Sequence, residues 1–231
     1  MSQVIGIIGA MDEEIQLMQG SMTQEHSRIK AGITYYEGTI HGKRIVLCKS
    51  GVGKVNAAVT TQILIDTFGV SRVLFTGVAG ALHPDLDIAD IVISSECMQH
   101  DMDVTPLGYA KGVIPDAEIS IFPADAALVQ LAEQACAELG QKFLTGRVLS
   151  GDQFIASKDA VAALRAEMDG ACAEMEGAAV AQACSMNAIP FVVLRSMSDK
   201  ADGSAEMNYR DFTILASERS HAILEHMLKA L

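Results

Sequence analysis

Four acids stand out in this sequence for the company they keep: Glu14, Glu174, Glu176 and Asp199. Asp199 ends Phe191-Val192-Val193-Leu194-Arg195-Ser196-Met197-Ser198-Asp199, which begins as the most apolar run of the second half. An aspartic acid works as a general acid near neutral pH only if its pKa rises roughly three units above about 3.9, a shift that costs about 4 kcal/mol. Burial beside an apolar base supplies such a shift. A turn or helix-cap aspartate is the structural alternative. Glu14 follows the apolar run Val4-Ile5-Gly6-Ile7-Ile8-Gly9, within the triplet Asp12-Glu13-Glu14. Acids there complement a helix dipole, whereas a carboxylate held over a pocket takes a proton from water. Glu174 and Glu176 interrupt an Ala-rich stretch over 171–184, where acids are rarely buried without partners. In an extended segment they share a face, and a helix starting between them makes them diverge. One of them suits a ribose diol; the other reading makes Glu176 a helix cap. Phe154, just past Gly151, either stacks on an aromatic ring or fills the core.

Gly51-Val52-Gly53-Lys54 invites a P-loop reading, but Cys48 stands five places before Gly53, and Val55 replaces the required Ser or Thr. Gly6-Ile7-Ile8-Gly9 has the wrong spacing for a dinucleotide fingerprint. Both groups read as tight turns that let backbone approach a ligand, or as turns alone. His100 with Asp101 and Asp103 is a weak metal pattern. No metal site and no cofactor is predicted.

These residues need a frame. The pattern predicts a strand over 3–9, a turn and a polar helix. Strands follow at 33–40 and 43–50, joined at His41-Gly42. A helix covers 54–67, and a strand at 72–76 closes on Gly77-Val78-Ala79-Gly80. Another strand covers 88–95. The stretch 98–123 is too long for a plain connection, so it is functional or at an interface. Helix 125–139, strand 143–149, helix 158–168, strand 171–174, helix 176–187, the 191–194 strand and helix 208–230 complete the reading. This alternation predicts one α/β domain over 1–231, a twisted, mixed and largely parallel sheet surrounded by helices. In such sheets ligands sit at the carboxyl ends of strands, where the singled-out residues fall.

Composition narrows the partners. A chain of 231 residues, half of them hydrophobic, builds its own core. With 17 basic and 29 acidic residues its formal charge is −12, which repels nucleic acid and disfavours anions away from a local basic pocket. Cys48, Cys97, Cys136, Cys172 and Cys184 are odd in number and lack a C-x-x-C pair, so reduced thiols are expected. No apolar run reaches the roughly 18 residues of a membrane span. The first residues lack the marks of a signal peptide, so the cytoplasm is the expected compartment.

Five segments in order closely resemble the bacterial 5′-methylthioadenosine/S-adenosylhomocysteine nucleosidases of the purine nucleoside phosphorylase superfamily. They are Ile8-Gly9-Ala10-Met11-Asp12-Glu13-Glu14, Lys49-Ser50-Gly51-Val52-Gly53-Lys54-Val55, Ser150-Gly151-Asp152-Gln153-Phe154-Ile155, Glu174-Met175-Glu176-Gly177-Ala178 and Arg195-Ser196-Met197-Ser198-Asp199. The resemblance implies a nucleoside phosphorylase-like homodimer. It implies that Glu14 activates water and that Asp199, beside Ser198, protonates adenine N7. Met175 and Glu176 would contact ribose, Phe154 would stack on adenine, and Ile155 would read its edge. Gly80 would bring main chain to the ligand, and Met11, Val52 and Tyr209 would form pocket wall. Val104, Leu107 and Pro115 would reach over the 5′ substituent from the neighbouring subunit, which would account for the irregular 98–123 stretch.

Many members have Ser where this chain has Val78, and Phe where it has Leu107. The Thr-Gly-Val-Ala-Gly form resembles the branch that also cleaves 6-amino-6-deoxyfutalosine for menaquinone synthesis. The implied reaction is hydrolysis of the N9–C1′ bond of a 5′-modified adenosine. Its rivals are phosphorolysis and a non-catalytic nucleoside-binding module. Phosphorolysis needs cations, and one carboxylate about 4 Å from a phosphate charge opposes docking by roughly 4 kcal/mol at an effective dielectric of 20.

Overall fold

The apolar run at the start of the chain becomes β1 (Val4–Gly9), flanked in parallel by β4 (Lys43–Lys49) and β5 (Arg72–Ala81). A strand buried on both faces is continuously rather than alternately apolar, as Ile5 to Ile8 are. The computed structural model describes residues 3–199 and 205–231, with 205–213 as backbone only. After β1 come α1 (Asp12–Ser21), β2 (Thr23–Lys30) and β3 (Ile33–Ile40), and β2, β3 and β4 form an antiparallel meander. His41 and Gly42, both at positive φ, make the tight β3–β4 turn. The other helices are α2 (Lys54–Phe68), α3 (Ala126–Glu138), α4 (Lys158–Met168), α5 (Gly177–Met186) and α6 (Ala205–Ala230). The other strands are β6 (Ile91–Gln99), β7 (Ile121–Pro123), β8 (Phe143–Ser150), β9 (Gly170–Glu174) and β10 (Phe191–Asp199).

All strands join one mixed sheet in the order β10-β6-β8-β9-β5-β1-β4-β3-β2, with β7 on β6. Because β10 also pairs with β5, the strands β10, β6, β8, β9 and β5 close into a ring. β1, β4, β3 and β2 run off it as an arm that ends on β2, all of whose residues are exposed. Two apolar layers cover the sheet. In one, Ala57 and Leu64 of α2 and Ala178, Val180 and Cys184 of α5 pack on the sheet. In the other, Ile15 and Met18 of α1, Leu128 and Cys136 of α3, and Ile223, Leu224 and Met227 of α6 pack there. All five cysteines are free and buried, and among the described residues no helix is long and apolar enough to cross a membrane.

The predicted elements differ from these at several places. β2 was not foreseen; apart from Ile29 its residues are polar on both faces, as suits an exposed edge. β5 continues through Gly77-Val78-Ala79-Gly80, where a turn was expected, because both neighbouring strands keep pairing there. β6 starts at Ile91 rather than 88, since Ala89 sits at φ 68, outside strand geometry. The irregular stretch contains the end of β6, a turn of 3₁₀ helix at Thr105–Leu107 and β7.

Candidate active site

A cleft opens where β1, β5, β8, β9 and β10 end. Glu14, Glu176, Asp199, Ser198, Phe154, Ile155, Met175, Gly80, Met11 and Val52 all line it. The fold therefore gathers ten of the predicted residues from six separate segments. Val104, Leu107 and Pro115 do not line the cleft of the chain that carries them, and Leu107 is 74% exposed. Tyr209 falls in the part of α6 whose side chains lie outside the described residues.

Glu14 stands in the first turn of α1 and folds back toward the end of β1. Its Oε2 accepts the amides of Ala10 (2.5 Å) and Met11 (3.0 Å), and its Oε1 accepts that of Val78 on β5 (3.1 Å). A carboxylate oxygen has two acceptor sites, so Oε1 keeps one for water. Gly77 makes room for this: a Cβ there would lie 2.7 Å from Glu14 Oε1 and 2.9 Å from Arg195 Nη1. Burial raises the Glu14 pKa, against the opposing pull of Arg195 and the backbone amides. Glu14 is therefore a stronger base than a surface glutamate.

Glu174 and Glu176 diverge, because β9 ends at the first and α5 begins after the second. Glu174, not Glu176, satisfies the helix start: its oxygens accept the Gly177 amide (2.9 and 2.8 Å) and its Oε2 accepts the Glu176 amide (3.2 Å). The Ser150 hydroxyl donates to Glu174 Oε1 and in turn accepts the Ala178 amide. Arg195 donates from Nε and Nη2 to Glu174 Oε2 (3.1 and 2.5 Å), with its guanidinium 3.9 Å above the Phe75 ring. Glu176 is thus free of capping duty and turns to the cleft, where its Oε1 accepts the Gly53 amide (2.8 Å). Burial, then the charge of Glu174, pushes the Glu176 pKa up to about 7, tempered by Arg195 and the Gly53 amide.

Asp199 is 5% exposed and sits opposite Gly80 in the β10–β5 ladder, just after a register shift at Met197. Such irregularities re-aim a side chain at a strand end. The Ser198 hydroxyl lies 3.3 Å from Asp199 Oδ2 and 3.4 Å from the Ala79 carbonyl. Gly80 also pairs with Ala173 on β9, so its backbone runs between the Asp199 and Glu174 strands. Phe154, 59% exposed, and Val52, 50% exposed, flank the mouth.

Sequence reasoning missed the roles of Glu174, Ser150, Gly77 and Gly53. One signal for Glu174 was present: a lone arginine inside the apolar 191–199 run requires a buried acid. Among the described residues no cluster of His, Cys, Asp or Glu has the makings of a metal site. Asp101, considered for a metal, instead binds Lys54 and the Asp152 amide. No Lys, Arg or His lines the cleft among the described residues. The arrangement can hold an uncharged ligand, stabilise developing positive charge between Glu14 and Glu176, and present Asp199 to an acceptor atom.

Comparison with known proteins gives a consistent picture. Residues 4–229 match the family model described as the phosphorylase superfamily. A 5′-methylthioadenosine/S-adenosylhomocysteine nucleosidase of Shewanella denitrificans is 42% identical over 230 residues, covering 98% of this chain and 99% of that one. The nucleosidase of that name from Neisseria meningitidis, solved with methylthio-immucillin-A, superposes with a TM-score of 0.95 at 37% identity, covering 99% of this chain and 100% of its own. The futalosine hydrolase of Helicobacter pylori strain 26695 also superposes with a TM-score of 0.95, at 36% identity over 99% and 98% of the two chains.

Proposed function

Because the chain belongs to the phosphorylase superfamily, we propose that it is a nucleosidase of 5′-methylthioadenosine and S-adenosylhomocysteine, as its full-length relatives are named. It hydrolyses the N9–C1′ bond of 5′-modified adenosines and releases adenine and the 5′-substituted ribose. The observation that carries this reading is the convergence of Glu14, Glu176, Asp199 and Phe154 on one cleft whose described lining has no cation. Adenine stacks on Phe154 with its edge toward Ile155. Asp199, with Ser198 beside it, gives a proton to N7, so the base leaves neutral. Such general-acid help is worth roughly 10²–10⁴ in rate, or about 3–5 kcal/mol. The ribosyl carbon then becomes cationic, and the carboxylates of Glu14 and Glu176 stabilise it electrostatically. Glu14 takes the proton of the water that adds at C1′, and Glu176 accepts from the sugar hydroxyls beside Met175.

Phosphorolysis is disfavoured by the same charges. A phosphate in this cleft would face Glu14 and Glu176, while the nearby guanidinium of Arg195 is already engaged by Glu174. The test is adenine release from methylthioadenosine, adenosylhomocysteine, 5′-deoxyadenosine and 6-amino-6-deoxyfutalosine in phosphate-free buffer. Release with the first two, unchanged by added phosphate, is expected; strict phosphate dependence overturns the reading. The fourth substrate addresses a second reading, favoured by Val78 in the cleft wall and by the likeness to a futalosine hydrolase.

Residues 1–231 act as one domain, in the cytoplasm, where five reduced thiols persist. The active form is a homodimer. An apolar groove between α2 and α5 leaves Val55 (73%) and Met186 (78%) exposed, with Leu107 of the irregular stretch exposed as well. A second copy would cover them and bring Val104, Leu107 and Pro115 over the 5′ end. Sedimentation that shows only monomers at micromolar concentration contradicts this.

Replacing Glu176 by Gln separates stability from function. The folded-state pKa of Glu176 lies above the ordinary carboxylate value. Its contribution to stability is therefore fully present below the unfolded value and lost as pH rises through about 7. The neutral amide keeps the Gly53 contact and avoids that loss. Thermal melts at about pH 8 should show the variant more stable than the parent, with the difference vanishing in acid, while kcat/KM falls. An unchanged Tm would mean that Glu176 ionises without strain.

A further inference from the structure

Three loops that carry the cleft are fastened together behind it by side chains that do not line it. Asp101, just past the end of β6, accepts from Lys54 Nζ through Oδ1 (2.6 Å) and from the Asp152 amide through Oδ2 (2.9 Å). Asp152, two residues before Phe154, accepts the Lys54 amide through Oδ1 (2.8 Å). The neighbouring Gly53 donates its amide to Glu176. Gly53 sits at φ 98, and a Cβ there would lie 3.1 Å from Asp152 Oδ1, so the turn is closed tightly against the β8 loop. Lys54 Nζ also donates to Gln99 Oε1 (3.0 Å), and Gln99 Nε2 donates to Gln182 Oε1 (2.6 Å) on α5, the helix that Glu176 precedes. The Lys54 and Asp101 side chains are only 19% and 14% exposed. An exposed ion pair contributes little, but this one is partly shielded and tied to backbone amides on both sides.

We infer that Asp101 and Lys54 are positioning residues that set the distance between the Phe154 loop and Glu176, and so between the base-stacking and ribose-binding ends of the cleft. Neither lines the cleft; both act through Asp152 and Gly53. Burial pushes the Asp101 carboxyl up, but the Lys54 and Asp152 hydrogen bonds outweigh it and hold the group below its ordinary value, as a charged double acceptor. The inference rests on the nucleosidase reading for its kinetic consequences alone.

Asp101→Asn keeps the side-chain size but can accept at one oxygen only, so it cannot hold both Lys54 and the Asp152 amide. Lys54→Met keeps the stem and removes the charge. In each variant KM for methylthioadenosine is expected to rise between about tenfold and a hundredfold, with kcat within about threefold of the parent, since misplacement far from the chemistry can cost that much. The double variant should be no worse than the poorer single one, because the two act as a unit. Amide exchange at Gly53, Lys54 and Asp152 should quicken at least about tenfold in both variants, with the central amides of α2 unchanged. Unchanged KM with quickened exchange overturns the positioning role, and unchanged exchange overturns the clamp itself. If the parent releases no adenine, the nucleosidase reading fails, while the exchange measurement still decides the clamp. Global quickening, including α2, identifies a merely structural role and also overturns the proposal.

Discussion

Asp199→Asn is expected to lower kcat for adenine release by roughly 10²–10⁴ while leaving nucleoside affinity within about tenfold of the parent. The amide is nearly the shape of the carboxyl and can still donate a hydrogen bond. It cannot transfer a proton to N7, so the purine would have to leave as an anion. The backbone frame survives the change, because Asp199 is held in the β10–β5 ladder by main-chain pairing opposite Gly80. Single-turnover kinetics together with calorimetric titration of a non-hydrolysed analogue separate the two quantities. Loss of affinity with chemistry intact would make Asp199 a binding group rather than the acid. Equal turnover would sink the assignment outright.

The second large effect is on stability. Glu174→Ala leaves Arg195, 1% exposed, buried with its main partner gone. Breaking a buried ion pair by removing one partner costs about 3–5 kcal/mol, and the start of α5 loses its acceptor as well. For a chain of this size that corresponds to a fall in Tm of roughly 6–20 °C at about 2–4 °C per kcal/mol. Glu174→Ala combined with Arg195→Met should recover part of the loss, since the uncompensated charge goes too. Calorimetry of the parent and the two variants tests this. A drop of under about 1 kcal/mol for Glu174→Ala would mean that water or another acid takes over the guanidinium. The single variant should also slow catalysis, because Arg195 no longer tied to Glu174 shifts the charge balance at Glu14.

Much of the frame was legible from residue pattern. The hairpin of 33–40 and 43–50 around His41-Gly42, and the apolar runs over 4–9 and 191–194, state their own structure. β2 was not legible, because a strand exposed on both faces has no apolar face to betray it. The Gly77-to-Gly80 segment misled for a different reason. Glycine there marks not a turn but the space that Glu14 and Arg195 occupy beside Gly77. The site residues were identified by resemblance, and their types and positions after strands agreed with it. What no local pattern contains is the approach of Val78 to Glu14, or of Gly53 to Glu176. Both follow from the order of the sheet, which sets β5 beside β1 and β9 beside β5, while the β10–β5 pairing, between segments more than a hundred residues apart in the chain, closes five strands into a ring.

That closure leaves the main path of the sheet with one outer margin, β2. Unpaired strand backbone is a template for another chain to zip onto, and proteins blunt it with charge and distortion. β2 carries Glu25, His26, Arg28 and Lys30, and its register slips between Gln24 and His26. Among the described residues this end of the main sheet path is thereby made a poor match for any partner strand.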